Sequence, residues 1–217
     1  MIVTLPPFNM KIFKDRQTAG KLLAEKLHFF NGRGTIVLGI PRGGVVVAAE
    51  IAKELKLPLD IIVTRKIPHP DQPELAIGAV DSDGQIIGEV GEYGRIREIV
   101  EKELAELKKR EEKYRHARRP LAKLIEGKVV ILVDDGIATG ATTLAAINYL
   151  KRHGVRKIML AVPVASREAV EKMIRELGEF GEVMVLETPE NFAAVGQFYQ
   201  EFQPVEDEEV IQLLANG

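Results

Sequence analysis

Val129-Val130-Ile131-Leu132-Val133-Asp134-Asp135-Gly136-Ile137-Ala138-Thr139-Gly140-Ala141-Thr142-Thr143 decides how the rest of the chain is read. Five apolar residues, four of them β-branched, form a strand pattern buried on both faces. The run ends in two adjacent carboxylates. A loop of small residues follows, and Leu144 to Arg152 takes up a helical pattern.

Each part has a chemical meaning. A helix N-terminus carries unpaired N–H groups and the positive end of the helix dipole, which together suit a phosphate. Gly140 permits close backbone approach, and Thr139 and Thr142 add hydroxyl donors. Asp134 and Asp135 stand at the carboxyl end of the strand, the ligand edge of an open α/β sheet. Two carboxylates there accept hydrogen bonds from vicinal hydroxyls or hold a hydrated Mg²⁺. Phosphate donors beside carboxylate acceptors fit a ribose 5-phosphate. The simpler alternative, a helix capped by Thr139, explains the threonine and leaves the double aspartate unexplained.

Val129 to Thr142 resembles the phosphoribosyl pyrophosphate (PRPP) signature of the type I phosphoribosyltransferases: an apolar run, two acids, a short linker, then Thr-Gly-x-Thr. The resemblance implies that Asp134 and Asp135 bind the ribose hydroxyls of PRPP and meet Mg²⁺ only indirectly, through Mg-PRPP. It places the 5-phosphate on Ala138, Thr139, Gly140, Ala141 and Thr142. Several purine-using members carry a third acid where this chain has Ala138, so no general base is assigned.

Length and composition set the outer bounds. The 217 residues suffice for one large domain. Hydrophobic residues make up 46% and charged residues 29%, ordinary for a globular enzyme. A net charge of −2 gives no support for nucleic-acid binding. Without cysteine there is no disulfide, thiolate nucleophile or zinc–thiolate site, and the four histidines lack metal-ligand spacing. No apolar run approaches the ~18 residues of a membrane span, and the N-terminus shows no signal-peptide pattern. The default expectation is a cytoplasmic protein with no membrane or nucleic-acid partner; a homodimer is left open.

Upstream, Asp15 is a suitable N-cap for a helix to about Phe29, closed by a turn at Asn31-Gly32-Arg33-Gly34. Thr35 to Ile40 is a strand, Pro41-Arg42-Gly43-Gly44 a loop, and Val45 to Leu55 a helix. This second strand–loop–helix unit carries an arginine at its junction. By resemblance, Arg42, Gly43 and Gly44 bind pyrophosphate, and the peptide bond between Pro41 and Arg42 is cis. The alternative is an ordinary turn with a surface arginine.

Leu59 to Thr64 reads as a strand with Arg65 and Lys66 at its carboxyl end. The three prolines of Ile67 to Pro73 argue against regular structure there. Ala76–Val80 and Gln85–Ile87 read as a hairpin around Ser82-Asp83-Gly84. The resemblance makes Arg65 and Lys66 catalytic, stabilising the leaving pyrophosphate; the alternative is a solvated basic strand end.

Glu92 to about Arg118 reads as a long helix with an apolar stripe at Ile96, Val100, Leu104, Leu107 and Tyr114. Its second half is basic, expected as a solvated face, with a partner or phosphate surface as the sharper alternative. Lys157–Val164 and Glu182–Leu186 are further strands. Ser166 caps a helix that Gly178 ends, and Glu206 to Glu209 start a last helix. Aromatics concentrate between Asn191 and Phe202. There Phe192 is the residue expected to stack on a base, unless these rings pack only against one another.

The expected fold is therefore α/β: a mostly parallel twisted sheet with helices on both faces. The core runs from about 35 to 186, a small hood comes from 1–14 and 188–217, and the helical insertion is 92–118. The implied reaction moves ribose 5-phosphate from PRPP to a nitrogen nucleophile and releases pyrophosphate. The acceptor is unidentified. The alternative is a non-catalytic PRPP-binding regulator of the same fold. A P-loop nucleotide hydrolase is excluded by the absence of Gly-x-x-x-x-Gly-Lys-Ser/Thr.

Overall fold

The computed structural model describes residues 12–30, 32, 34–73, 75–88, 91, 96–115 and 118–216. Most of the expected N-terminal hood, turn residues Asn31 and Arg33, and both ends of the expected 92–118 helix (92–95 and 116–117) lie outside these.

The helices are α1 (Arg16–Lys26), α2 (Gly43–Leu55), α3 (Ile96–Arg115), α4 (Leu121–Ile125), α5 (Ala141–Arg152), α6 (Arg167–Leu177) and α7 (Asp207–Ala215). The strands are β1 (Thr35–Gly39), β2 (Leu59–Ile61), β3 (Thr64–Pro68), β4 (Ala76–Asp81), β5 (Ile86–Ile87), β6 (Val129–Val133), β7 (Lys157–Val164) and β8 (Gly181–Glu187). Five of the strands form one parallel sheet in the order β2-β1-β6-β7-β8.

The apolar runs are continuous because this sheet is covered on both faces, and successive side chains alternate between two cores. Val37, Ile131, Val133, Met159 and Met184 pack with α1, α2, α3 and α7. Ile36, Leu38, Val130, Leu132 and Leu160 pack with α4, α5 and α6. Local capping agrees with the sequence reading. Asp15 accepts the Thr18 N–H at 2.7 Å, and Ser166 accepts the Ala169 N–H at 3.1 Å.

Strand order places the ligand edge. From β1 the chain crosses by α2 to β2 on one side; from β6 it crosses by α5 to β7 on the other. The connections thus diverge between β1 and β6, the switch point where open α/β sheets open a crevice at their carboxyl ends.

The region between β2 and β6 departs from expectation. Thr64, Arg65 and Lys66 do not extend β2. They open β3, which pairs antiparallel with β4 in a separate three-stranded sheet. Ile67 and Pro68 belong to that strand despite the prolines, with the register shifting between them. A proline is tolerated there because β3 is an edge strand. The hairpin is fastened to α5: Arg152 reaches Asp81 at 2.6 Å and Asp83 at 3.1 Å.

The basic end of α3 is solvated only in part: Lys108 and Lys109 are exposed, while Lys113, Arg115 and Arg118 find partners within the chain. Arg115 donates two bonds of 3.0 Å to buried Asp60, and Arg118 lies 3.7 Å from the same carboxylate. Arg118 also donates to the Leu214 carbonyl. Lys113 bonds Asp207 at 2.8 Å and Glu208 at 3.3 Å, and the Tyr114 hydroxyl donates to Asp207. These groups clasp α7 to the insertion. Finally, the segment before α1 meets the segment after β8. Phe13 N–H donates to the Phe198 carbonyl, and Gln200 N–H donates back to the Phe13 carbonyl, each at 2.8 Å.

Candidate functional site

The two strand–loop–helix units lie side by side, Gly39 opposite Val133, with Ile40 N–H bonded to the Val133 carbonyl at 2.8 Å. The loops after β1 and β6 therefore share one crevice. The Pro41–Arg42 peptide bond is cis. Arg42 is the N-cap of α2, and Gly43 and Gly44 are its first helical residues rather than loop.

Both glycines are required by packing. A Cβ on Gly44 would sit 2.8 Å from the Val133 carbonyl and from Asp134 Cα. One on Gly43 would sit 1.9 Å from Asp135 Oδ2. The start of α2 is pressed against the acidic pair.

The two aspartates differ. Asp134 Oδ1 accepts the Asp135 N–H at 2.9 Å. Burial, then the neighbouring Asp135 charge, pushes the Asp134 carboxyl well above the usual carboxylate range. Asp135 is paired with Arg16 of α1 at 2.8 Å, and its carbonyl accepts the Tyr199 hydroxyl at 2.6 Å.

The loop after Asp135 is stapled from behind. Ile137 N–H bonds the Val164 carbonyl, Ser166 N–H bonds the Ile137 carbonyl, and Ser166 Oγ donates to the Ala138 carbonyl. Ala138 and Thr139 are left exposed at the front. The N-cap of α5 is Gly140 at φ 75°, with no side-chain cap, so Thr139 does not cap the helix. The left-handed φ favours glycine there, and Met173 Cε would crowd a Cβ at 2.9 Å. The first-turn N–H groups consequently open onto a cavity of about 190 Å³. Asp134, Lys66, Val195 and residues Gly136 to Thr143 line it. The Thr143 hydroxyl, buried there, has no hydrogen-bond partner.

A second cavity of about 280 Å³ adjoins it, sharing Lys66 and Thr142 and adding Pro41, Arg65 and Arg110. Arg65 is committed to Glu103 of α3 at 2.6–2.8 Å, whereas Lys66 is exposed. Arg42 faces the acidic start of α7, 3.6 Å from Asp207 and 3.9 Å from Glu206. Phe192 is half-buried with its ring 5.2 Å from Phe198, and from the segment after β8 it is Val195 that lines the smaller cavity.

Structure thus brings Asp134, Lys66 and the 138–142 loop together and sets Gly43 and Gly44 against the acidic pair, while Arg42 turns to the acids of α7. Sequence reading missed Arg16, Thr143, Arg110 and Val195. Two of them left a local trace: Thr143 in the Thr-Thr pair of the first turn of α5, and Arg110 in the basic stretch whose sharper reading is a partner or phosphate surface. Among the described residues no cluster of three acidic or histidine side chains is arranged for a metal, and no helix is long and apolar enough to cross a membrane.

Residues 12–199 match the family described as phosphoribosyl transferase domain. A Mycobacterium tuberculosis protein provisionally named a phosphoribosyl transferase is 42% identical over 212 residues. That match takes in 94% of this chain; the chain spans 47% of the relative's length. The crystal structure of TT1426 from Thermus thermophilus superposes with a TM-score of 0.77 at 41% identity, covering 94% of this chain and 98% of that one. A uracil phosphoribosyltransferase of Staphylococcus haemolyticus is 43% identical over 49 residues, 23% of each chain.

Proposed function

This chain belongs to the phosphoribosyl transferase family, and from that premise we propose that it transfers ribose 5-phosphate from PRPP to a nitrogen nucleophile, releasing pyrophosphate. The observation that carries the reading is the smaller cavity, lined by both an uncapped helix N-terminus and the half-buried carboxylate of Asp134. A sugar phosphate has both complements: a dianion for the N–H groups and vicinal hydroxyls for Asp134.

In this reading the turn from Ala138 to Thr142 takes the 5-phosphate, and the end of β6 at Asp134 and Asp135 takes the ribose. Arg42, Gly43 and Gly44 meet the pyrophosphate from one side, Lys66 and Arg110 from the other. The bond from C1 of the sugar to the pyrophosphate oxygen breaks, the acceptor nitrogen bonds to C1, and that nitrogen loses a proton. Positive charge grows on the ring and negative charge on the leaving group, so Lys66 acts where charge develops. Arg65, held by Glu103, orients this strand end. Phe192 stays the proposed stacking residue for a base, held from behind by Phe198.

Mg²⁺ supplies charge neutralisation on the pyrophosphate when it arrives with PRPP. One carboxylate is already spent on Arg16, so the site fits a hydrated ion brought by substrate rather than one caged by protein. The regulatory alternative drew on a free basic helix. Lys113, Arg115 and Arg118 are instead engaged within the chain.

Pyrophosphate release from PRPP, assayed with a panel of purine and pyrimidine bases, tests the proposal. The local match to a uracil enzyme puts uracil in that panel. Base-dependent release is expected; PRPP binding with no release on any base would favour the regulator.

A further inference from the structure

Arg16, the first residue of α1, is only 9% exposed. Its Nε donates to Asp135 Oδ2 at 2.8 Å and its Nη1 to the Gln203 carbonyl at 2.9 Å. Its guanidinium lies 3.8 Å from the centre of the Phe202 ring. A buried arginine that divides its planar fork between two distant segments is a fixed joint, because either partner alone would leave a buried group unsatisfied.

Three parts of the fold close on Asp135. Arg16 of α1 holds its carboxylate, Tyr199 of the hood holds its carbonyl, and Gly43 of α2 covers it. Asp134 has other surroundings: it accepts its neighbour's N–H and faces the smaller cavity. The acidic pair is divided, one carboxylate presented and the other anchored.

We infer that Arg16 is a positioning residue for the sugar site: it fixes Asp135 beside Asp134 and ties that strand end to the hood segment 199–203. The inference rests on the PRPP reading and goes beyond it. Without the guanidinium, Asp135 is a second carboxylate crowded against the first, and its low-energy course is to turn away from it. The strand end then loses its geometry, and the Phe202–Gln203 segment loses its tether. Sugar site and hood are thereby coupled through one side chain.

The experiment compares Arg16→Met, Arg16→Lys, Asp135→Asn and the double variant Arg16→Met/Asp135→Asn. Calorimetric affinities for PRPP with Mg²⁺ and for pyrophosphate are measured beside thermal melts. Arg16→Met should weaken PRPP binding about tenfold or more, the scale of one charge-assisted bond. Arg16→Lys should recover most of that yet stay about threefold weak, since one ammonium cannot serve both Asp135 and Gln203. The double variant should bind no worse than Arg16→Met, and pyrophosphate should change less than PRPP throughout. PRPP affinity at the wild-type level in Arg16→Met or Arg16→Lys, whatever their melting temperatures, would overturn the inference. So would additive losses in the double variant, or an equal loss for pyrophosphate. If Arg16→Met does not fold, Arg16→Lys decides alone. A wild-type chain that binds no PRPP overturns the parent reading instead, and this inference with it.

Discussion

The β1–α2 and β6–α5 units are built alike and lie next to each other, yet their helix starts are used in opposite ways. In β1–α2 the first two helical residues are glycines, and the space their side chains would fill belongs to Asp134 and Asp135. Its arginine already faces the acids of α7. In β6–α5 the corresponding positions are Ala141 and Thr142, the helix has no side-chain cap, and a cavity stands in front of it. One start is closed by the chain itself and the other is open. The lesson is that two helix starts of one pattern offer an anion different things: the α5 start its free N-terminal turn, the α2 start the loop and the arginine that lead into it.

Three experiments break or sharpen that contrast. The largest effect is expected at the closed start. Gly44→Val has no room between the Val133 carbonyl and Asp134 and should cost about 3 kcal/mol of stability. The reciprocal Ala141→Gly at the open start should cost about 1 kcal/mol, the helix-propensity difference alone. Urea unfolding of both measures the gap; equal costs would mean that the two starts are packed alike.

Next comes the open start itself. Thr139→Ala and Thr142→Ala should each lose about 1.5–3 kcal/mol of affinity for ribose 5-phosphate, one charge-assisted bond apiece. Thr139→Ala should leave the melting temperature in place, because the helix is not capped by that hydroxyl. A drop in melting temperature with intact affinity would return Thr139 to a structural role.

The smallest effect concerns the acid facing Arg42. The Lys113 ammonium, then the Tyr114 hydroxyl, lower Asp207 to about 2 from its ordinary value of 3.8. A folded-state value below the unfolded one means stability that is full above about pH 4 and is lost as pH falls toward 2. For a carboxylate that solvent still reaches the amount is about 1 kcal/mol at most. Asp207→Asn should therefore differ from wild type by about that much at pH 6 and converge with it near pH 2. It should also bind pyrophosphate more tightly, since Arg42 loses a competitor. Chemical unfolding against pH and a pyrophosphate titration check both; weaker pyrophosphate binding would show that Asp207 orients Arg42 for the anion.

The parallel sheet was legible because buried strands are continuous apolar runs and the caps Asp15 and Ser166 act within three residues. The cis bond at Pro41–Arg42, expected from resemblance, is present. The insertion was harder. Ile62 and Val63 continue the apolar run of β2, and Arg65-Lys66 reads equally well as the charged end of that strand, so the move of Thr64 to Pro68 into a second sheet was hidden. α4 is too short to show a period. Arg16 and Asp135 are 119 positions apart, and Arg115 and Asp60 are 55. Ion pairs carry no local pattern, so the fold alone reveals them. Around the site, the loop residues were legible through their motif and Arg42, Arg65 and Lys66 through their places at strand ends, whereas Arg16 and Val195 were not.

The pairing of Phe13 with Phe198 and Gln200 also orders events in time. A ribosome releases all five strands of the large sheet once Glu187 is clear, while Phe198, Val210 and Leu214, which cover one of its faces, are still to come. The Tyr199 hydroxyl, the Gln203 carbonyl that steadies Arg16 and the acids that face Arg42 emerge only afterwards. A nascent chain stalled between these points would carry the strands of the sheet beside an unfinished pocket, so that competence to bind arrives only with residues 199 to 207.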